Sequence, residues 1–458
     1  MSLNKDNVED ILALAPMQEA MLFYYVSQPG NDQYFEQIHL KINGDISLPL
    51  FKEAWQFVTD SNEALRTVFR WEGLNAPAQI VLKKHPVALE FHDLESSPTA
   101  PSALIEQMKA AELKKGFDLN LVPFRIILCR ENSQGYHVII NNHHIIYDGW
   151  SNRILLSEFL SAYSRLQTGR ELTVPVKTRY KEFIKYLKKE TGEEQSRFWR
   201  NYLYDYQAAD GFFETNVTAF ANYQVGDYGV TVSPSLTKKL DSLAKEKQLT
   251  LASIFYTAWG VCLHKYHYCD DLVFGTVVSG RNAFMKGIGE TIGLFINTVP
   301  LRVKAGSDDT ALQLLVKVNQ DLKNRTDFEG NSLSKIKQVL GVDQKKELFD
   351  SIVVIENYSV NLEQLFKENK LRLMAYESSE PKTNFSITVE IRLFEAWEIR
   401  FNYKKHLFTN QMIGKIAALF VELLERMATY PGIDLDTLMY GSEDTEDVSP
   451  DLDITFDF

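Results

Sequence analysis

The sequence is poor in the features that mark several large classes of protein. Its 458 residues include three cysteines, Cys129, Cys262 and Cys269, and no two of them have CxxC spacing. A disulfide framework is therefore not expected, and the thiols are predicted to be buried. No apolar run reaches the roughly eighteen residues of a membrane-spanning helix, and the start, MSLNKDNVED, lacks the basic and apolar regions of a signal peptide. We therefore expect a cytoplasmic protein without a membrane partner.

The chain also lacks a surplus of positive charge. It carries 49 Lys and Arg against 61 Asp and Glu, which gives a formal net charge of -12. Because nucleic-acid-binding proteins usually present a clustered basic face, a nucleic-acid partner is not expected. The zinc pattern HExxH, the dinucleotide fingerprint GxGxxG and the nucleophile elbow GxSxG are absent. The sequence thus predicts no bound metal, no dinucleotide-binding site of this type and no nucleophile of the α/β-hydrolase type.

Hydrophobic residues, at 45% of the chain, are sufficient for one large core or two. Residues 168–178, TGRELTVPVKT, have the composition of a linker, and we place a boundary between two lobes after residue 172. Strand and helix patterns are mixed on both sides, which predicts an α+β fold class. Residues 441–458 contain seven acidic residues and no basic one, which is typical of a tail or linker.

Local patterns predict several elements of the first lobe. VEDILALAPMQEAMLFYYVS has apolar residues at helical spacing and predicts a helix. FRIILCR and YHVIINNHHII flank the polar segment ENSQG, which predicts a hairpin. A helix is expected to follow, with Ser151 as its N-cap and Gly169 as its stop signal.

The stretch YHVIINNHHIIYDGWSNRILL places two histidines, an aspartate and a glycine at a predicted strand-to-helix junction. Because side chains alternate along a strand, His143 and His144 are predicted to point apart, which argues against their sharing a metal. One imidazole facing a cavity can act as a base or a positioning group. Asp148 stays ionised if it meets an arginine, and a Gly149 backbone N–H can approach a ligand oxygen. The alternative is that both histidines merely satisfy neighbouring backbone groups.

HHIIYDGWS resembles the HHxxxDG signature of condensation domains of nonribosomal peptide synthetases, a branch of the chloramphenicol-acetyltransferase-like superfamily. Further segments resemble successive motifs of that family in the family order: LAPMQEAMLF, ALRTVF, YKEFIKYL, VFGTVVSGR, IGLFINTVPLRV and LFDSIVVIENY. The resemblance covers roughly residues 10 to 435, with both order and spacing in agreement.

The resemblance implies two chloramphenicol-acetyltransferase-like lobes in a V-shaped pseudodimer with a central tunnel. Residues 16–172 are the expected N-terminal lobe with HHxxxDG, and residues 173–440 the C-terminal lobe. The implied activity is peptide-bond formation between a donor thioester on an upstream peptidyl carrier protein and an aminoacyl acceptor on a downstream one. The phosphopantetheine arms belong to these carriers, so no intrinsic cofactor is implied. An adenylation domain is expected downstream in the parent protein.

The resemblance also assigns roles to residues. His144 and Gly149 are the implied catalytic groups, with the imidazole serving as base, hydrogen-bond positioner or charge stabiliser and the Gly149 backbone lying beside the reacting carbonyl. His143, Asp148 and Arg66 are the implied structural support. Asp148 is expected to pair with Arg66.

One departure from the family lies just before ALRTVF. Ser61 and Asn62 stand where an Arg-His pair is common in the family. Any salt bridge that depends on that earlier arginine is therefore expected to be absent.

Other segments indicate a subtype and a further partner. PMQEAMLF, GLFINTVPLR and LFDSIVVIENY resemble the forms in condensation domains that take a D-configured donor and an L-configured acceptor. MSLNKDNVEDILAL resembles an acceptor docking segment, so residues 1–15 are a candidate for docking an upstream synthetase subunit. The alternative for this segment is a helix-capping extension.

Three alternative functions stay open at the level of the sequence. The first is a catalytically silent scaffold that binds carrier or tailoring proteins. The second is an epimerisation domain, which shares HHxxxDG but typically differs after the glycine. The third is a free-standing acyltransferase that uses soluble acceptors. A heterocyclisation domain is excluded because it has aspartates in place of His143 and His144.

Overall fold

The computed structural model describes residues 4–30, 32–189, 192–206, 224–281, 285–306, 308–343, 346–357, 362–379 and 382–441. Helices and strands alternate irregularly throughout these ranges, as the sequence predicts. The predicted acidic tail lies outside the described residues except for Gly441. No helix in the described ranges combines the length and the apolar character needed to cross a membrane.

The strands are β1 Val8–Ala13, β2 Phe35–Asn43, β3 Thr67–Arg70, β4 Ala78–Leu82, β5 Leu89–Asp93, β6 Phe124–Arg130, β7 Gly135–His143, β8 Val225–Thr231, β9 Asp271–Val278, β10 Asn297–Lys304, β11 Ser351–Glu356, β12 Arg372–Ser379, β13 Ile387–Leu393 and β14 Trp397–Lys404. The α-helices are α1 Pro16–Ser27, α2 Leu48–Ser61, α3 Pro101–Lys115, α4 Gly149–Gln167, α5 Tyr180–Lys189, α6 Glu193–Tyr202, α7 Pro234–Lys247, α8 Leu251–His267, α9 Ala311–Arg325, α10 Leu333–Leu340, α11 Leu362–Glu368, α12 Asn410–Thr429 and α13 Leu435–Tyr440.

The chain divides into two compact units, each assembled from several segments. Unit 1 comprises Met1–Gly192, Ser279–Asn297 and Val360–Asn384, and unit 2 comprises Glu193–Val278, Thr298–Ser359 and Phe385–Phe458. The division thus falls after residue 192, not after residue 172. Residues 168–178 do lie between α4 and α5, but the apolar face of α5 packs in unit 1, where Tyr180 and Phe183 share a small core with Ala15. The linker composition correctly indicated that residues 168–178 are irregular. It did not indicate that the next helix, α5, belongs to unit 1.

Unit 1 is built on a five-stranded sheet with the order β12-β2-β7-β6-β5. β6 and β7 pair antiparallel, which confirms the predicted hairpin. β2 pairs antiparallel with β7 in a register that sets Phe35 opposite His143 and Glu36 opposite Asn142. One face of this sheet packs with α2 and α4 in a core that includes Trp55, Phe159 and Leu155. This register brings the end of β7 beside the start of β2.

The first predicted helix of unit 1 is only partly correct. Val8–Ala13 is a strand that pairs antiparallel with β4 in a three-stranded sheet of order β1-β4-β3, and α1 begins at Pro16. Proline lacks the backbone N–H that a helix interior requires, so it is accommodated in the first turn and marks the start of α1. Six of the fifteen residues of the candidate docking segment, Val8–Ala13, are therefore a strand of unit 1.

Unit 2 contains a six-stranded sheet with the order β10-β9-β11-β13-β14-β8. Its β9, β11 and β13 run parallel, whereas β14 and β8 are antiparallel to their neighbours. Helices α7, α8, α9 and α12 supply the large apolar side chains of its core, among them Trp259 and Phe420. Cys262 of α8 and Cys129 of unit 1 are buried as predicted, whereas Cys269 is half-buried.

Candidate active site

The histidine motif lies at the junction of β7 and α4 in unit 1. β7 ends at His143, and α4 begins at Gly149. The backbone N–H of His144 donates to the carbonyl oxygen of Tyr34 at 2.8 Å, which holds the turn against the start of β2. His144 therefore lies just beyond the strand, where strand alternation no longer fixes its direction.

The His144 ring is placed against a buried carboxylate. Its Nδ1 lies 2.9 Å from Oε1 of Glu36, and the exposed fractions of the two side chains are 10% and 9%. A carboxylate in contact with Nδ1 favours the neutral ring that carries its hydrogen on Nδ1, and it also stabilises the protonated ring. The contact therefore suits an imidazole that accepts a proton at Nε2.

His143 has different surroundings. Its Nδ1 accepts a hydrogen bond from the backbone N–H of Ile145 at 3.1 Å, and its ring lies near the rings of Tyr25 and Tyr34. Burial is the main cause that lowers the pKa of His143 to about 3, and the charge of His144 lowers it further. The ring is thus neutral at physiological pH and supports the local backbone.

Asp148 caps α4 and is fully buried, with 1% of its surface exposed. Its Oδ1 accepts hydrogen bonds from the backbone N–H of Ser151 at 3.2 Å and from Ser151 Oγ at 3.0 Å. Its Oδ2 accepts one from the backbone N–H of Phe295 at 3.0 Å. The N-cap is therefore Asp148, not Ser151 as predicted, because the aspartate side chain accepts a hydrogen bond from the backbone N–H of the third helical residue, Ser151.

The charged partner of Asp148 is Arg281, and the predicted pair with Arg66 is wrong. Arg281 Nη2 donates to Asp148 Oδ1 at 2.8 Å, and the arginine side chain is 4% exposed. Its Nη1 donates to the carbonyl oxygens of Ile288 and Thr291 at 2.8 and 2.9 Å. The prediction that Asp148 meets an arginine is correct, but the arginine comes from the end of the segment VFGTVVSGR.

Arg66 holds the first strand instead. Its Nη1 pairs with the carboxylate of Glu9 in β1 and donates to the carbonyl oxygen of Leu82 in β4. Arg179 also pairs with Glu9, at 2.9 Å, so the same carboxylate binds two arginines. Arg66 therefore ties β1 and β4 together and does not contact Asp148.

Asn62, the second residue of the departure before ALRTVF, contacts two other side chains of unit 1. Asn62 Nδ2 donates to Glu158 of α4 at 2.8 Å, and its Oδ1 accepts from Lys177 Nζ at 2.5 Å. Lys177 also pairs directly with the Glu158 carboxylate. A lysine from the segment after α4 thus supplies the positive charge near Glu158.

Gly149 is the first residue of α4, directly after the Asp148 cap. The backbone N–H groups of a helix's first turn have no partner within the helix and lie at the positive end of its dipole. Trp150, the next residue, donates its indole N–H to the carbonyl oxygen of Gly289 at 3.0 Å, which fixes the start of the helix.

Gly280 lets the chain bring Arg281 to Asp148. It has φ +59°, and a Cβ at this position would collide with the carbonyl oxygen of Phe295. We expect Gly280→Ala to destabilise the protein by clearly more than the roughly 1–2 kcal/mol that a left-handed conformation costs an L-residue. Gly169→Ala is the matched control, because Gly169 has φ +65° and open space around its Cβ position. Thermal unfolding measures both; equal losses of stability would contradict the packing argument.

Glu36, Asn142 and Arg281 are the site residues that the sequence reading missed. Asn142 Nδ2 donates to Glu36 Oε2 at 2.7 Å. Arg281 ends the segment VFGTVVSGR, but neither Arg281 nor Glu36 was linked to the histidine stretch. The signals available were the only carboxylate in the segment FEQIHLKIN and an arginine directly after a glycine.

No group of three or more His, Cys, Asp and Glu side chains is arranged to hold a metal ion within the described ranges.

Comparison with protein-family models assigns the chain to a family. The model described as Condensation domain matches residues 8–448. The chain belongs to the condensation-domain family. In nonribosomal peptide synthetases, condensation domains are acyltransferases that catalyse amide-bond formation.

Relatives of this condensation domain are parts of long proteins. Tyrocidine synthase 2 of Brevibacillus parabrevis is 32% identical over 438 residues, which cover 94% of this chain and 12% of that protein. Surfactin synthase subunit 3 of Bacillus subtilis (strain 168) is 30% identical over 439 residues, which cover 95% of this chain and 34% of that protein. The condensation domain thus spans only a small part of such relatives.

Solved structures of other condensation domains have the same fold. The starter condensation domain of rhizomide synthetase matches with a TM-score of 0.77 and 14% identity, over 93% of this chain and 96% of that one. The condensation domain from Monacolin K polyketide synthase matches with a TM-score of 0.76 and 13% identity, over 94% of this chain and 100% of that one. At such identities the likeness shows the fold alone, and it confirms the predicted α+β, chloramphenicol-acetyltransferase-like fold class. The predicted V shape and tunnel stay predictions.

Proposed function

We propose that this condensation domain forms a peptide bond between two carrier-bound substrates. The donor is an acyl or peptidyl thioester on an upstream peptidyl carrier protein, and the acceptor is an aminoacyl thioester on a downstream one. The observation that carries the proposal is the second histidine of HHxxxDG, His144, with its Nδ1 2.9 Å from the buried carboxylate of Glu36. Membership of the family supplies the reaction class.

The reaction needs a proton acceptor. The acceptor's amine nitrogen attacks the thioester carbonyl carbon, the C–S bond breaks, and the thiol returns to the donor's phosphopantetheine arm. The nitrogen gains positive charge as it attacks and must lose a proton. A neutral His144 with its hydrogen on Nδ1 accepts that proton at Nε2, and Glu36 stabilises the imidazolium that results.

The attack also places negative charge on the carbonyl oxygen of the tetrahedral intermediate. Backbone N–H groups at a helix N-terminus can stabilise such an oxyanion. We assign this role to Gly149, the first residue of α4. The buried pair of Asp148 and Arg281 then acts as support, because it fixes the turn that presents both Gly149 and His144.

The partners follow from the same proposal. Phosphopantetheine arms on the two carriers deliver both substrates, and the condensation domain supplies no cofactor of its own. An adenylation domain downstream in the parent protein and an upstream synthetase subunit complete the proposed assembly. Because Val8–Ala13 is paired with β4, docking of that subunit by residues 1–15 would use residues outside β1 or a rearrangement of the strand.

The donor is proposed to have a D-configured terminal residue and the acceptor an L-configured one, because PMQEAMLF, GLFINTVPLR and LFDSIVVIENY resemble the forms found in that subtype. Carriers loaded with D- or L-aminoacyl donors test this by mass spectrometry of the products. We expect dipeptidyl product mainly from the D-donor, by a factor of about ten or more if stereochemistry changes the transition-state energy by about 1.4 kcal/mol. Equal yields from both donors would contradict the subtype and leave the reaction class intact.

Three additions to this experiment separate the alternative functions: carrier titration, chiral analysis of the carrier-bound residues, and a parallel reaction with a soluble amine. A silent scaffold binds both carriers without forming product. An epimerisation domain changes the configuration of a carrier-bound residue without forming an amide. A free-standing acyltransferase accepts a soluble amine as readily as a carrier-bound one. Any of these results would overturn the proposed peptide-bond formation.

A further inference from the structure

We propose that Glu36 is a positioning residue for His144 and that Asn142 and Tyr147 hold it in place. This inference rests on the proposed function, because it concerns the proton that His144 accepts. The buried chain of contacts fixes the imidazole tautomer and stabilises the imidazolium once it forms. The HHxxxDG signature specifies none of these three residues. Glu36 and Asn142 lie outside it, and Tyr147 occupies one of its variable positions.

The contacts run through four side chains of unit 1. His144 Nδ1 lies 2.9 Å from Glu36 Oε1. The other carboxylate oxygen of Glu36 accepts a hydrogen bond from Asn142 Nδ2 at 2.7 Å, and Asn142 Oδ1 accepts one from the Tyr147 hydroxyl at 2.7 Å. Asn142 and Tyr147 are fully buried, so solvent does not compete for these bonds.

The direction of each hydrogen bond follows from the donors available. Burial is the largest cause that raises the pKa of Tyr147 well above its usual 10, and the charge of Glu36 raises it further. The hydroxyl therefore keeps its proton and donates it to the Asn142 oxygen. The amide orientation is then determined, because its NH₂ group must face Glu36. An ionised carboxylate only accepts, so the ring nitrogen that faces it is the one that carries the hydrogen.

The backbone provides the geometry. Glu36 stands opposite Asn142 in the antiparallel register of β2 and β7, so these two side chains are direct cross-strand neighbours. Tyr147 lies in the turn after the strand, on the same segment as His144. A rigid sheet pair thus places the carboxylate before any substrate arrives, which is what a positioning group needs.

Other titratable groups near this ring do not oppose the effect. His143, the sequence neighbour, is neutral at physiological pH because its pKa is about 3. Tyr147 keeps its proton, because burial and the charge of Glu36 raise its pKa well above 10. Glu36 is therefore the charged group that the proposal places against the His144 imidazole.

Glu36→Gln is the central test, read out as the single-turnover rate of dipeptide formation against pH. Removing the negative charge destabilises the imidazolium, so the pKa of His144 falls in the variant. The acidic limb of the profile, which reports the loss of neutral imidazole, is expected to move to lower pH by about one to three units. The plateau rate is expected to fall about 10- to 100-fold, the usual loss when the carboxylate behind a functional histidine is removed.

Glu112→Gln is the matched control. Glu112 is also a carboxylate of unit 1 with a 9% exposed side chain, but it pairs with Arg125 at 2.7 Å. This variant is expected to lose stability and to keep the wild-type pH profile. Glu36→Asp keeps the charge and is expected to return the acidic limb towards its wild-type position, with a lower rate because the shorter side chain lies farther from Nδ1.

The outcomes separate this inference from the proposed function. A wild-type domain that forms no dipeptide, or a His144→Ala variant as active as wild type, would overturn the proposed function. An inactive His144→Ala variant together with a Glu36→Gln variant of unshifted profile would overturn the positioning role alone. If Glu36→Gln does not fold, Tyr147→Phe takes its place: a smaller shift in the same direction supports the role, and an unchanged rate and profile overturn it.

Discussion

Replacing His144 with alanine is expected to lower the rate of dipeptide formation about 10²- to 10⁴-fold, the contribution typical of a positioned acid–base group. The variant loses the proton acceptor for the attacking amine and leaves the Asp148 cap and the sheet unchanged. Binding of loaded carriers should therefore persist while the chemical step slows. Rapid-quench kinetics with intact-mass detection measures the step, and carrier titration measures the binding.

His39→Ala is the matched control for this loss. His39 of β2 is a 9% exposed histidine whose Nδ1 also faces a carboxylate, that of Glu377 at 3.1 Å. Its Nε2 lies 2.8 Å from Nδ1 of His137, so it belongs to a different cluster in the same sheet. We expect this variant to lose some stability and to keep its turnover rate. Equal rate losses in the two variants would mean that the effect of His144→Ala is structural.

Asp148→Asn is expected to lower the free energy of unfolding by about 3–5 kcal/mol, because it leaves the buried charge of Arg281 without a counter-charge. Both side chains are less than 5% exposed. The loss should exceed that of His144→Ala clearly, since that variant leaves no unpaired buried cation and Glu36 keeps its hydrogen bond from Asn142. Chemical denaturation of both variants measures the difference.

Two further experiments isolate the contribution of the buried Asp148–Arg281 pair. Asp93→Asn removes the same kind of charge from an exposed pair with Arg130 and is expected to change stability little or not at all. A cycle of Asp148→Asn, Arg281→Met and the double variant gives the interaction energy of the buried pair. If Asp148→Asn and His144→Ala melt at the same temperature, or if the cycle shows no coupling, the buried pair does not support the turn.

The local architecture of the site was predictable from the sequence. The polar segment ENSQG between two apolar segments marked the β6–β7 hairpin, and Ser151 and Gly169 marked the helix that follows to within a few residues. Both signals act between residues close in the chain, where steric and hydrogen-bonding preferences are strong. The predicted N-cap was three residues late because Ser and Asp are about equally good caps, and only the geometry shows which one accepts the hydrogen bond.

The partners of the site residues were not predictable in the same way. Arg281 is 133 positions from Asp148 along the chain. Glu36 lies in β2, whereas His144 follows β7, so several strands and helices separate them in the sequence. A sequence pattern indicates that an aspartate needs a cation, but long-range pairing depends on strand register and on segments that return to the unit late in the chain. The sequence favours Arg66 as the partner of Asp148 because Arg66 lies in a family motif. In the structure, Arg66 pairs with Glu9 instead.

The first strand was missed for a different reason. In VEDILALAPMQEAMLFYYVS, apolar residues fit a helix throughout, and a short apolar run can form either a strand or a helix. The tertiary pairing of Val8–Ala13 with β4 decided in favour of a strand, and the two arginines that bind Glu9 hold that strand in place.

The most direct test of the central claim follows both carriers by intact-mass spectrometry after they are mixed with the condensation domain. The account predicts that the acceptor carrier gains the mass of the donor acyl group, that the donor carrier returns to its free-thiol mass, and that His144→Ala prevents both changes. Transfer of the acyl group to the condensation domain itself, or full transfer by His144→Ala at the wild-type rate, would contradict it.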